Sequence, residues 1–186
     1  MIPTLTTERL ILRPIMTTDA LDMYEYAKKP YIGPNAGWHP HLSVDETRLI
    51  IQMFQDSSRK TGLGVFAILL KTNMKMIGTI EIYNRMHGFK AELGYCLNDE
   101  YWGHGYIVEA SKMVLKWGFE NLKLSRIEVS LFTDNHQSER VCQKLQMEYE
   151  GIKKKAYLRY DGKILDCKIY AMTDDLYYKL KEGSYE

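Results

Sequence analysis

A chain of 186 residues, 45% apolar and 26% charged, has the size and composition of one globular domain, and residues 1–186 are read as that domain. A formal net charge of +1 gives no electrostatic reason for nucleic acid or a membrane surface to be the main partner. No apolar run approaches the ~20 residues needed to cross a bilayer, no signal peptide opens the chain, and Cys96, Cys142 and Cys167 form no CxxC pair, so a cytoplasmic protein with reduced thiols is expected.

In chain order, residues 8–13 read as a strand closed by Pro14. The polar cluster Thr17-Thr18-Asp19 opens a helix over 20–28 that ends before Pro30. Residues 31–42 carry Gly33, Pro34, Gly37 and Pro40 and read as a loop. Ser43-Val44-Asp45-Glu46 is a capping box in front of a helix over 46–58, with Leu49, Ile50, Met53 and Phe54 on one face. Three strands follow: 65–70, almost wholly apolar, then 74–83 after a turn at Thr72-Asn73, then 91–97 after a turn at His87-Gly88. A helix over 106–122 buries Ile107, Ala110, Val114 and Trp117. After it come a strand over 126–132, a short helix over 137–145, strands over 149–160 and 163–173 around Asp161-Gly162, and a helical turn over 174–181.

Between the third of those strands and the long helix lies Glu100-Tyr101-Trp102-Gly103-His104-Gly105-Tyr106. A Gly-rich turn that opens a helix points several N–H groups at one spot, where the helix dipole also favours negative charge. A dinucleotide fingerprint needs a third glycine where Val108 stands, and a Walker A loop needs Lys where Tyr106 follows Gly105. A phosphate cradle of another kind, or a tight turn that needs Gly105 only for its backbone, is what remains.

The stretch Trp102 to Ile107 with Glu109-Ala110 behind it resembles the acyl-CoA pyrophosphate loop of the GCN5-related N-acetyltransferases, the GNAT superfamily. Its wording is similar to the branch that contains the ribosomal-protein N-terminal acetyltransferases. The element order matches that family's, so the resemblance implies an α/β (α+β) fold. Its features would be a mixed, mostly antiparallel sheet of about seven strands, helices on both faces, and a splayed strand pair, here 92–98 and 126–132, holding acetyl-CoA. The resemblance assigns the pyrophosphate to the turn of Trp102, Gly103, His104, Gly105, Tyr106 and Ile107. It assigns an oxyanion-binding N–H to Tyr95, Cys96 or Leu97. The later pattern from Asn135 and Ser138 to Lys144-Leu145 resembles the helix whose Asn and Ser positions meet pantetheine and the CoA sulfur. Three positions depart from the common pattern: Trp102 at the first place of the loop, Ile107 at the sixth, where Gly or Ala is usual, and Gln146-Met147 where relatives have Gly-Phe.

The implied reaction is direct transfer of an acetyl group from acetyl-CoA to a primary amine. A protein N-terminus is one candidate for that amine, with a polyamine or aminoglycoside as the alternative among enzymes, and a non-catalytic CoA-binding module as the alternative outside them. An α-amino group of pKa near ~8 costs roughly 1.4 kcal/mol to deprotonate at pH 7, and a lysine near ~10.4 costs about 4.6 kcal/mol. Glu81 and Glu92, on central strands, are the candidate bases. Ser138 is the candidate proton donor to the thiolate, with Cys142 as the alternative, because Cys142 stands where many relatives carry a tyrosine. Tyr31, Trp38, His39 and Tyr83 are candidate acceptor-lining residues, since the 31–42 loop is the region that differs most among relatives. His39 and His41 have no third ligand in view, so no metal is expected. A homodimer through the last two strands is the assembly the family suggests.

Overall fold

The computed structural model describes residues 2–183. Two short pieces, β1 (Leu5–Thr6) and β2 (Leu10–Pro14), lead into α1 (Ala20–Ala27), a four-residue helix α2 (Gly33–Ala36) and α3 (Val44–Thr61). Then come β3 (Val65–Leu70), β4 (Met76–Met86), β5 (Lys90–Leu97), α4 (Tyr106–Glu120), β6 (Arg126–Phe132), α5 (His136–Lys144), β7 (Glu148–Leu158), β8 (Ile164–Thr173) and α6 (Asp174–Gly183). Among the described residues the strands form one eight-stranded sheet in the order β1-β2-β3-β4-β5-β6-β8-β7. Every neighbouring pair is antiparallel except β5 and β6.

The sheet has one strand more than the sequence suggests. The extra strand is β1, whose Leu5 and Thr6 pair with Leu12 and Ile11. Two residues are too few for alternation to be read. The 31–42 segment, read as a loop, contains α2, with proline in its first turn and Gly37 in the left-handed conformation at its end. The second strand of the hairpin begins at Met76 rather than Met74, which takes φ 59° in the turn.

Burial follows from the local sequence. All six residues of β3 are buried, as an apolar run at the centre of a sheet covered on both faces requires. Phe66, Ile68, Ile80, Ile82 and Leu93 face α4 and α6 in the larger core. Val65, Ala67 and Leu69 face α1 and α3 in a second core with Met23, Tyr26 and Ile51. Ser43 caps α3 by accepting from Glu46 N at 3.0 Å, and Gly62 closes it in the left-handed conformation. The face of α3 that meets the sheet is centred on Thr47 and Ile51, both fully buried. Leu49 and Met53, expected on that face, are exposed, while Ile50 and Phe54 are half-buried.

Candidate active site

β5 and β6 pair only at Lys90↔Arg126, Ala91↔Ile127 and Glu92↔Glu128. Beyond Glu92 the two strands run on without a ladder between them, and a cavity of about 1100 Å³ occupies the gap. Leu93 to Leu97 form one wall and Val129 to Phe132 the other. These are the two strands the resemblance pairs as the splay. Asn98 N donates to Ile77 O at 2.8 Å, so alternation along β5 turns the N–H groups of Leu97 and Tyr95 toward the open side. Unpaired N–H groups at that edge can receive an oxygen that carries developing charge.

At one end of the cavity stands the Gly-rich turn. Gly103 and Gly105 have φ of 81° and 79°, values at which an L side chain is strained. Gly105 is the N-cap of α4, and no side chain caps the first turn. The N–H groups of that turn therefore have no intrahelical partner and point at the cavity mouth. Only Arg9 Nη2, at 3.8 Å, lies near the place a Cβ of Gly105 would take. Ile107 is 7% exposed because its side chain turns into the core, which leaves its N–H on the cradle side. Arg140 and Lys144, one helical turn apart on α5, line the adjacent wall and supply positive charge. An uncapped helix start, a left-handed glycine and two flanking cations fit a diphosphate. The ladder-free gap behind them fits an extended chain such as pantetheine.

The turn is braced from behind. Glu109 accepts from Thr7 Oγ1 at 2.6 Å, Arg9 N at 2.8 Å and Arg9 Nε at 2.7 Å. Arg9 Nη1 donates to His104 O at 3.1 Å, and its guanidinium lies 4.5 Å from the centre of the Tyr106 ring. His104 stacks on Tyr106, lies exposed and does not line the cavity. Trp102 Nε1 donates to Leu97 O, which ties the turn to the end of β5.

The acids separate by environment. Glu81 pairs in register with Val65 and so faces α1 and α3, opposite Ile80 and Ile82. Burial pushes its carboxyl from an ordinary value near 4.5 to about 7. Gly94 leaves it room, since a Cβ there would stand 3.7 Å from Glu81 Cγ and 3.0 Å from Tyr83 Cε1. Glu92 is engaged, accepting from Tyr83 Oη at 3.1 Å and Asn84 Nδ2 at 3.0 Å. Tyr83 is thus committed to Glu92, and its hydroxyl, buried beside that charge, is held far above the usual range.

On the α5 side, Asn135 caps the helix by accepting from Ser138 N at 3.2 Å. The same side chain donates to Asn35 O at 3.2 Å. Ser138 lines the cavity and is half-buried. Cys142 is placed otherwise than its sequence position suggests. It is fully buried in the larger core, its thiol is pushed up to about 12 by burial, and it does not line the cavity. Tyr95 stands between the two, with its hydroxyl 3.3 Å from Ser138 O and burial holding it well above the usual range. Cys96 lines the opposite face, its thiol also pushed up to about 12 by burial.

The 31–42 segment forms a strap over the cavity. Tyr31 Oη donates to Asp99 at 2.9 Å, Tyr157 Oη to Gly37 O at 3.3 Å, and Arg159 Nη1 to Pro34 O at 3.4 Å. Tyr31, Trp38 and His39 line the cavity beneath it, with Tyr157 beside them. Sequence reasoning did not single out Tyr157, Arg9 or Tyr26. The signal for Arg9 was present in Glu109, a carboxylate directly behind an anion cradle, which needs a cation to offset it. Nothing in sequence marks Tyr157, which reaches the strap across 120 positions.

The sequence matches the family described as "Acetyltransferase (GNAT) domain" over residues 9–148. It is 30% identical over 171 residues to an uncharacterized N-acetyltransferase, p20, of Bacillus licheniformis, covering 91% of this chain and 95% of that one. It is 25% identical to the ribosomal protein uS5-alanine N-acetyltransferase of Escherichia coli, covering 91% and 90%. Among solved structures, a GNAT-family acetyltransferase from Bacillus anthracis superposes with a TM-score of 0.82 at 25% identity, covering 93% of this chain and 99% of that one.

Proposed function

The chain belongs to the GNAT acetyltransferases and is an N-acetyltransferase, and from that premise we propose that it acetylates the α-amino group of a protein N-terminus by direct attack in a ternary complex. Acetyl-CoA, the family's co-substrate, would supply an activated thioester between β5 and β6. The amides of Gly103 to Ile107, with Arg140 and Lys144 beside them, would hold its pyrophosphate. The N–H groups of Tyr95 and Leu97 would donate to the thioester oxygen. Ser138 Oγ would return a proton to the leaving sulfur.

The observation that carries the choice of acceptor is Glu81, an uncommitted carboxyl pushed up to about 7 in the cavity wall. Passing a proton to it from an α-ammonium of pKa ~8 costs roughly 1.4 kcal/mol, and from a lysine-type ammonium near ~10.4 about 4.6 kcal/mol. A base of this strength suits the first and is poorly matched to the second. The similarity to a ribosomal-protein alanine N-acetyltransferase supports the same acceptor class. The test is CoA thiol release with a free N-terminal peptide, comparing the wild type with Glu81→Gln. The reading predicts a loss in kcat of about 10²-fold or more with little change in the KM for acetyl-CoA. A Glu81→Gln enzyme with full kcat would remove Glu81 as the base.

A further inference from the structure

The cavity does not end at the splayed strands. It continues past Glu81 into the space between the sheet, α1 and α3, where Met23, Ile32, Trp38, Ile50, Phe54 and Val65 line it. We propose that this chamber receives an apolar group borne next to the acceptor amine, so that the enzyme selects an N-terminal residue with an apolar side chain; the inference rests on the N-terminal reading above.

Three observations carry it. First, the chamber opens beside the proposed base. Val65, in its wall, is the register partner of Glu81, so the apolar wall begins at the strand position next to the carboxyl. Second, the wall offers carbon and almost no charge. His41 is 5% exposed, its Nδ1 lies 2.8 Å from Thr47 Oγ1, and burial lowers its pKa so that it stays neutral. Of the acids that line the cavity, Glu128 is paired with Arg126 at 2.7 Å, which leaves Glu81 and Glu92 to meet a cation, both on the sheet and neither on α1 or α3. A polyamine or aminoglycoside carries several ammonium groups, and any that entered the chamber would lie against Met, Ile, Phe and Val without a counter-charge, a costly arrangement. Third, the far wall is closed by Tyr26, which is fully buried and lines the chamber with its hydroxyl beside that of Thr79. The chamber therefore suits a compact apolar group.

The experiment is a panel of peptides of one sequence that differ only in the first residue (Leu, Met, Val, Gly, Lys or Asp), with phenethylamine and spermidine as free amines, all against the wild-type enzyme and acetyl-CoA. The expected result is a kcat/KM for Leu, Met or Val at the head about 10- to 100-fold above that for Gly, Lys or Asp. Phe54→Trp, which narrows the chamber at a half-buried position, shifts the preference toward Val over Leu while leaving the KM for acetyl-CoA unchanged. Peptides turned over equally, or best with Gly, would overturn the chamber and leave the N-terminal acceptor standing. Turnover of phenethylamine but of no peptide and not of spermidine would overturn the N-terminal acceptor and support the chamber. Preference for spermidine would overturn both.

Discussion

Arg9 and Glu109, 100 positions apart, meet behind the Gly-rich turn in a 2.7 Å ion pair that also reaches the backbone of the turn through His104 O. Arg9 stands immediately before β2 and Glu109 sits in the first turn of α4, so the pair locks the sheet edge to the helix start whose amides are the proposed cradle. Burial alone would raise the Glu109 carboxyl, but hydrogen bonds from Thr7 and Arg9 outweigh it and hold the group below the usual carboxylate range. A depressed carboxyl contributes stability that is present above its unfolded value and is lost as pH falls through the folded one.

Glu109→Ala therefore raises the KM for acetyl-CoA by about 10-fold, with a smaller effect on kcat, because the cradle loses its brace and not a reacting group. Gly105→Asp, which strains the left-handed helix start and puts a negative charge there beside Arg9, abolishes measurable CoA binding while the protein stays folded. Titration calorimetry with CoA and a melting curve separate the two variants. Unchanged CoA affinity in Gly105→Asp would place the pyrophosphate elsewhere.

Glu81 gives a pH dependence of the opposite sign. Its folded value, about 7, lies above its unfolded one, near 4.5. Below pH ~4.5 the carboxyl is protonated in both states and costs nothing. As pH rises from there to about 7, the unfolded chain gives up the proton first, so stability falls through that window and stays reduced above it. Glu81→Gln removes the penalty. The variant melts several degrees above the wild type at pH 8 and at the same temperature near pH 4, while losing its rate. In the wild type, kcat rises with pH to a plateau above about 7.

The strap supplies a third test. Tyr157→Phe removes the hydroxyl that reaches Gly37 O and leaves the ring against Phe132, 5.2 Å between centroids. The expected outcome is a several-fold rise in the KM for the peptide with the KM for acetyl-CoA unchanged. Equal rises in both would mean that the strap serves the cofactor.

Gln146 follows α5 at φ 58°, in the left-handed region that favours glycine. Met147 N reaches back to Cys142 O at 3.1 Å, and Met147 is buried, so the turn is held despite its unfavourable residue. Gln146→Gly stabilises the fold by about 1 kcal/mol, or about 2–4 °C in melting temperature, with no change in rate.

These cases show what the sequence could reveal. The Gly-rich turn proposed as the cradle was legible as a helix start because it depends on local chemistry: two glycines in the left-handed region, then an uncapped helix. The strands of the splay were legible as elements because apolar residues recur at alternate positions, Ala91 and Leu93 in one and Ile127, Val129 and Leu131 in the other. The sequence of α3 misled because it carries more apolar residues than its buried face uses. Thr47 takes a core place while Leu49 and Met53 stay in solvent. α2 was hidden because Gly-Pro-Asn reads as a turn, and its hold on the molecule comes from Tyr157, Arg159 and Asn135, all distant in sequence. Glu81 and Glu92 looked alike as acids on neighbouring strands. Only the register separates them, giving Glu92 two donors and Glu81 none. Met23, Tyr26 and Phe54 looked like ordinary helix core. Their place in a chamber wall depends on how α1 and α3 pack over the open end of the sheet.

The most direct test of the account is a competition within one substrate. A peptide with a free N-terminus and one internal lysine is incubated with enzyme and acetyl-CoA near pH 7.5, and the acetylated position is read by fragmentation mass spectrometry. The account predicts acetyl on the α-amine with the lysine untouched. Comparable acetylation of the lysine, or acetylation of the lysine alone, would contradict it.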